Sequence, residues 1–268
     1  MLTEVRIVPS RRRSRPPAQA HNPKVAGSNP APLFENRCGG PAVGSVSMAH
    51  VLIFDVNETL LDLSTLDDFF VRHLGDAGAR IEWFRKVLEC AFVGEVLGEG
   101  APFASIGAAA LEAIAMSRGI DLRDTAAAEL GRTMRALPAH SEVPDALAAL
   151  HSAGHRLVAL TNNATETVEE QFANAGIRGF FERVLSADAS GHLKPHRAVY
   201  ASAIKTLGVE PHELRMVAAH DWDVRGAMSA GMLGAYVARP GQTWNPRYVR
   251  PDVWGHDLAD VARQLMET

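Results

Sequence analysis

The sequence predicts an α/β fold: a doubly wound, Rossmann-like parallel-sheet core with an inserted helical cap domain. Three observations carry this. Val51–Phe54 is a run of four apolar residues that stops at Asp55, as a strand buried on both faces does when it reaches a sheet edge. Beyond residue 138, short apolar runs alternate with helical patterns, the rhythm of parallel strands joined by crossover helices. Between them, residues 64–137 show helical periodicity only. That is too much helix for one crossover.

Residues 1–47 hold seven of the fifteen prolines and an Arg-Arg-Arg run without sustained periodicity, so they are expected to be a disordered extension. Met48 is the expected natural start. The core is expected over 48–63 and 138–268 and the cap over 64–137. In the cap, Leu66, Phe69, Phe70 and Leu74 mark one helix face, and Ile81, Phe84, Leu88, Ala91 and Phe92 a second. Ile106, Ala110, Leu111, Ile114 and Ala115 mark a third, and Ala126, Leu130 and Met134 a fourth. The core then reads as helix 143–153, strand 156–160, helix 166–175, strand 183–186, helix 197–207, strand 214–219, helix 224–230, strand 234–238 and helix 258–266. Glycines at 154, 176 and 208 end three of the helices.

Charge is uneven. Residues 1–47 carry seven basic residues against Glu4 and Glu35, a net of +5, which leaves 20 basic against 29 acidic residues in the rest. A body with a net of −9 is a poor ligand for nucleic acid, and no nucleic-acid partner is expected. No apolar run approaches the roughly 18 residues of a membrane span, and no signal-peptide core precedes the first strand. Cys38 and Cys90 form no disulfide framework, which suits a reducing compartment; a cytoplasmic location is the expectation. Two histidine pairs, His151 with His155 and His192 with His196, have a spacing of four. Gly154 and Pro195 interrupt them and neither has an evident third ligand, so no metal site is expected.

The chemistry concentrates at the strand ends. The first strand delivers Asp55, Asn57 and Thr59, and the second Thr161 and Asn162. Lys194 follows the third, and His220, Trp222 and Asp223 follow the fourth. A lone Asp55 reads most simply as a helix cap. A carboxylate, hydroxyls, an ammonium and a second carboxylate, all at the carboxyl edge of one parallel sheet, describe an active site.

These motifs, Asp55-x-Asn57-x-Thr59, Leu160-Thr161-Asn162, Lys194-Pro195 and Trp222-Asp223-x-x-Gly226-Ala227, resemble in order the four motifs of the haloacid dehalogenase superfamily across residues 49–267. The helical insertion lies where that family carries a cap. Members mostly use an aspartate as a covalent nucleophile. A magnesium-dependent phosphatase of the family has a second Asp where Asn57 stands and a metal-binding carboxylate where Ala219 stands. Asn57 cannot supply a titrating proton and Ala219 offers no ligand. A halide leaving group needs no proton. The sequence is therefore similar to the L-2-haloacid dehalogenase subfamily, with no cofactor and no metal expected.

That resemblance implies an SN2 attack by Asp55 on C2 of a short halogenated carboxylate, followed by hydrolysis of the ester. Thr59 would hydrogen-bond Asp55, and Thr161 with backbone N–H groups would hold the substrate carboxylate on a loop supported by Asn162. Lys194 would bind both carboxylates, Asp223 would orient or activate water, and Arg85 with Trp222 would receive the halide. Helix amphipathicity alone reads Arg85 as a solvated surface residue. Tyr200 matches the subfamily and also suits a helix residue packed on the sheet. The sequence departs from familiar members at Asn57 and at Glu58, where they carry an aromatic and a glycine. It departs again at Ala218 and His220, where they carry serine and asparagine. His220 introduces a group that titrates near neutrality and could act on water itself. The resemblance also implies a homodimer, which no residue pattern here addresses. Two rival readings remain, a magnesium-dependent small-molecule phosphatase and a non-catalytic binding member.

Overall fold

The computed structural model describes residues 51–267; the expectations for the N-terminal extension and for Met48 lie outside them. Six parallel strands form one sheet in the order β3-β2-β1-β4-β5-β6. They are β1 (Val51–Phe54), β2 (Arg156–Thr161), β3 (Arg183–Ser186), β4 (Leu214–Ala218), β5 (Leu233–Val237) and β6 (Val253–Gly255). The first strand, β1, lies in the middle; the chain then winds outward to β3 and returns to the other side of β1 as β4. The switch point therefore lies between β1 and β4, where open α/β sheets leave a crevice at their carboxyl edge. Val51 pairs with Arg156 on one side and Leu214 on the other, so β1 is hydrogen-bonded along both edges.

All four residues of β1 are buried, and they alternate between two cores. Leu52 and Phe54 face one side with Phe172, Phe181, Val217 and Leu258, whereas Val51 and Ile53 face the other with Val199, Tyr200 and Met216. A strand inside a sheet covered on both faces can only read as continuously apolar. The covering helices are α5 (Val143–Ser152), α6 (Thr165–Asn174), α7 (Arg197–Leu207), α8 (Asp221–Ser229) and α9 (Leu258–Glu267).

The segment between β1 and α5 is helical as expected, with α1 (Asp67–Leu74), α2 (Ala79–Leu97), α3 (Phe103–Ser117) and α4 (Ala126–Arg135). The face of α2 needs correction. The sequence set Ile81, Phe84, Leu88, Ala91 and Phe92 on its buried side, but Ile81 is 45% exposed while Trp83, Phe84, Val87 and Ala91 are buried. Trp83 anchors this rotation by donating its indole N–H to the Gly107 carbonyl on α3 at 2.8 Å. Strand β6 has no counterpart among the strands that the sequence pattern predicts. Its three residues, between Asp252 and His256, are too short to show a period. Among the described residues, no helix is long and apolar enough to cross a membrane.

The Trp83 contact gives a direct check. Trp83→Phe keeps an aromatic ring but removes the indole N–H donated to the Gly107 carbonyl, so urea unfolding should show a loss of about 1 kcal/mol. An unchanged midpoint would mean that α2 and α3 hold their rotation by packing alone.

Candidate active site

Backbone geometry brings the strand ends together before any side chain is considered. The Asp55 N–H still donates to the Val217 carbonyl at 3.1 Å, so Asp55 sits where the β1 ladder ends. Its two carboxylate oxygens have different neighbours. Oδ1 accepts from Lys194 Nζ at 2.8 Å, and Oδ2 accepts from the Thr59 hydroxyl at 2.7 Å and lies 2.9 Å from His220 Nδ1. Thr59 in turn accepts the Ala219 N–H at 2.9 Å, so one hydroxyl ties the first motif to the fourth.

Lys194 is 1% exposed and spends all three ammonium protons: on Asp55, on Asp223 Oδ2 at 2.7 Å and on the Leu160 carbonyl at 2.8 Å. Asn162 fixes the loop that carries it, accepting the Lys194 N–H at 2.7 Å through Oδ1. The Tyr200 hydroxyl donates to Asp223 Oδ1 at 2.7 Å. Gly226 is required beneath it, because a Cβ there would stand 2.5 Å from the Tyr200 oxygen. Thr161 is buried and accepts the Asn163 N–H at 3.1 Å.

Burial raises the cost of every charge in this cluster, and the pairing decides which charges persist. Burial pushes the Asp55 carboxyl upward, but Lys194 and His220 outweigh it and hold the group well below the ordinary carboxylate range. For Lys194, burial works against the ammonium, and Asp223 and Asp55 together still leave it raised. Asp223 is raised by burial and by repulsion from Asp55, against the pull of Lys194 and Tyr200. Of the two carboxylates that share Lys194, Asp55 is the better ionised.

His220 is the least expected member. Its Nδ1 faces Asp55 Oδ2 and its Nε2 lies 2.9 Å from Glu58 Oε2, so the ring bridges two acids. Burial lowers its proton affinity, but hydrogen bonds to Asp55 and Glu58 prevail and push its pKa up to about 10. Trp222 stacks on the ring at 5.0 Å and 21°, and Phe84 of α2 approaches at 5.9 Å. Phe92 of α2 meets Trp222 edge-on at 5.3 Å. The helical segment thus closes over the fourth motif through aromatic contacts.

Arg85 is not part of this assembly. It is exposed, on a face shared with Ile81, Glu82, Lys86 and Glu89. Each helical residue turns about 100°, so once Trp83 and Phe84 face inward the next residue must face out. Arg80, three and four residues before that aromatic pair, takes the inward position, bonding Asp67 and lying 4.0 Å from Glu58. Sequence reasoning missed it, although its i+3 and i+4 relation to Trp83 and Phe84 was the available signal. It also missed Asn163, which lines an apolar cavity of about 90 Å³ with Trp83, Phe84, Val87, Phe103 and Leu130. The Asn163 Nδ2 and the buried Asn57 Oδ1 have no hydrogen-bond partner among the described residues.

The donor set does not suit magnesium. Asp55 already faces an ammonium and an imidazole, and β4 ends in Ala218 and is followed by Ala219, neither of which brings a side-chain oxygen. Elsewhere, a third donor does join one of the histidine pairs: Glu95 of α2 lies with His192 and His196, their ligand atoms within 4.8 Å of one another. These groups already satisfy each other's neighbourhood. Glu95 accepts the Leu193 N–H at 2.7 Å and pairs with His192 Nδ1 at 2.9 Å, while His196 accepts the Ala198 N–H. The cluster acts as a hydrogen-bonded latch between α2 and the Lys194 loop.

The His220 bridge makes a stability prediction. Its folded pKa is raised above an unfolded value near 6.5, so its stabilisation is complete below about pH 6.5 and is lost as pH rises towards 10. Thermal melts from pH 6 to 10 should therefore fall more steeply for the wild type than for His220→Asn. Parallel curves would contradict a protonated bridge.

Comparison with known proteins agrees with this geometry. The family profile of the haloacid dehalogenase-like hydrolases matches residues 49–231. Haloacetate dehalogenase H-2 of Moraxella sp. (strain B) is 29% identical over 203 residues, covering 75% of this chain and 91% of the relative. The (S)-2-haloacid dehalogenase of Xanthobacter autotrophicus is 30% identical over 197 residues, covering 73% and 77%. A solved L-2-haloacid dehalogenase from Xanthobacter autotrophicus, with chloropropionic acid covalently bound, superposes with a TM-score of 0.76 at 26% identity. That superposition covers 81% of this chain and 98% of the other. With the strand order, the four strand-end motifs and these matches in agreement, the chain belongs to the haloacid dehalogenase-like hydrolases.

Proposed function

We propose that this protein hydrolyses short L-2-haloalkanoic acids to 2-hydroxy acids through an ester on Asp55, without a metal. The observation that carries the reading is the state of Asp55, a buried carboxylate kept ionised by Lys194 and His220 at the sheet's switch point. Ionised and stripped of bulk water, it is a nucleophile for an electrophilic carbon. The related enzymes carry the names haloacetate dehalogenase and (S)-2-haloacid dehalogenase, which points to the same bond class.

In the first half-reaction, an Asp55 oxygen attacks C2, and the halide leaves with the bonding electron pair. Asn57 stands where a phosphatase of the family needs its acid, and a departing halide needs none. The adjoining cavity of about 90 Å³ has room for a handful of water-sized groups, which suits a haloacid of two or three carbons. The Asn163 Nδ2, which has no partner among the described residues, is the donor for the substrate carboxylate beside Thr161. Phe84, Phe92 and Trp222 form the aromatic wall for the halide, whose charge favours ring edges. Arg80 is the α2 cation on the side of the active-site acids, in place of Arg85. Asn162, Tyr200 and Asp223 hold Lys194 in position through the bonds described above.

The test is halide release from each enantiomer of 2-chloropropionate in EDTA. The L enantiomer alone should react, Asp55→Asn should abolish release, and Arg85→Ala should stay within about twofold of wild type, as solvated surface substitutions do. Magnesium-dependent phosphate release with no halide would favour the phosphatase. No turnover on either substrate class would favour a non-catalytic binding protein.

A further inference from the structure

Hydrolysis of the Asp55 ester requires a base beside its carbonyl carbon, and the groups around Asp55 differ in their fitness for it. Lys194 donates all three of its protons and is held as ammonium. Asp223 is fully buried, with one oxygen taken by Lys194 and the other by Tyr200. Thr59 donates to Asp55 and has no base chemistry near neutrality. His220 remains. Its Nδ1 is directed at Asp55, its Nε2 at Glu58, and Trp222 and Phe84 fix the plane of its ring.

Glu58 is itself built for this position. It is the only non-glycine residue with positive φ among the described residues, at 61°, a conformation that ordinary side chains rarely adopt. Its carboxylate is held there by Gln242 Nε2 at 2.8 Å as well as by His220, with Arg80 at 4.0 Å. Its carbonyl lies 3.1 Å from His140 Nε2. A nucleophile, an imidazole within hydrogen-bond reach and an acid orienting the far ring nitrogen make up the arrangement by which hydrolases activate water on a covalent intermediate.

We propose that His220, oriented by Glu58, is the general base that takes the proton of the hydrolytic water; this rests on the dehalogenase reading above. In the resting enzyme His220 is protonated between two carboxylates. Alkylation neutralises Asp55, His220 loses one of its two anionic partners, and its Nδ1 proton passes to solvent. Neutral His220 keeps Nε2–H on Glu58 and presents the Nδ1 lone pair beside the ester. Water then adds to the Asp55 carbonyl carbon and gives one proton to Nδ1. The C–O bond between the Asp55 carbonyl carbon and the substrate oxygen breaks, and His220 returns that proton to the leaving alkoxide to form the 2-hydroxy acid. The second water proton, left on Asp55, moves to His220 and restores the ion pair. The cycle releases one halide and one proton per haloacid and consumes one water. Glu58 acts as a positioning residue throughout.

The experiment is rapid-quench halide release with intact-protein mass measurement, using L-2-chloropropionate and the full chain. His220→Asn should give a burst near one halide per active site, then turnover slowed by about 100-fold or more, with the protein heavier by one 1-carboxyethyl group. Glu58→Gln should accumulate the same adduct to a lesser level. If His220→Asn does not fold, as judged by loss of a cooperative melt, Glu58→Gln alone decides. Burst and turnover falling together with no adduct would overturn the assignment and leave His220 as an anchor for Asp55. Absence of halide release from the wild type would instead overturn the dehalogenase reading and this assignment with it.

Discussion

The ammonium of Lys194 between Asp55 and Asp223 is the interaction on which the rest of the site depends. Three ionised groups with almost no exposed surface would be costly singly. Their stability requires nearly every proton and lone pair to be used, and the fold supplies the partners from two strand ends and a helix: Leu160 and the Asn162 clamp at the end of β2, Thr59 after β1 and Tyr200 from α7. Loss of any one charge would leave its partners buried and uncompensated, a penalty of about 3–5 kcal/mol in comparable settings. The same pairing keeps Asp55 anionic away from bulk water. Stability and nucleophilicity therefore share one cause.

The second layer of the site uses the same logic with different groups. Where a metal-dependent relative would present hard oxygen ligands, this chain has Ala218 at the end of β4 and Ala219 after it, and then sets an imidazole between Asp55 and Glu58. A histidine can surrender its proton when the charge beside it disappears, which a lysine donating to three acceptors cannot do so readily. The enclosing segment contributes through Phe84 and Phe92, and the Glu95 latch fixes the far end of α2 on the loop that carries Lys194. Helix α2 thus touches both the fourth motif and the third.

Much of this was legible in the chain itself. A parallel strand buried on both faces has to be apolar and has to stop, so Val51–Phe54 followed by Asp55 located the sheet centre and its active edge together. Asp55, Thr59, Lys194, Tyr200 and Asp223 could be assembled because each lies within a few residues of a strand or helix end that the apolar pattern marked. What escaped depended on rotation or on distance along the chain. Arg85 and Arg80 differ only in helical phase; Trp83 and Phe84, three and four residues after Arg80, carry that phase, and the Trp83 bond to Gly107 holds it. Glu95 joins His192 across 97 residues, and His220 joins Glu58 across 162. Such pairs exist only once the sheet order is known. Strand β6 was missed for a simpler reason: three residues do not make a period.

The central claim is that the substrate carbon becomes bonded to Asp55 before water acts. A single turnover of L-2-chloropropionate by excess enzyme in ¹⁸O-labelled water tests it directly. The account predicts label in the peptide containing Asp55 and none in the first equivalent of 2-hydroxy acid, because water attacks the ester carbonyl and the hydroxyl oxygen comes from the protein. Label in the product with an unlabelled Asp55 would mean direct displacement by water, and the covalent account would fail.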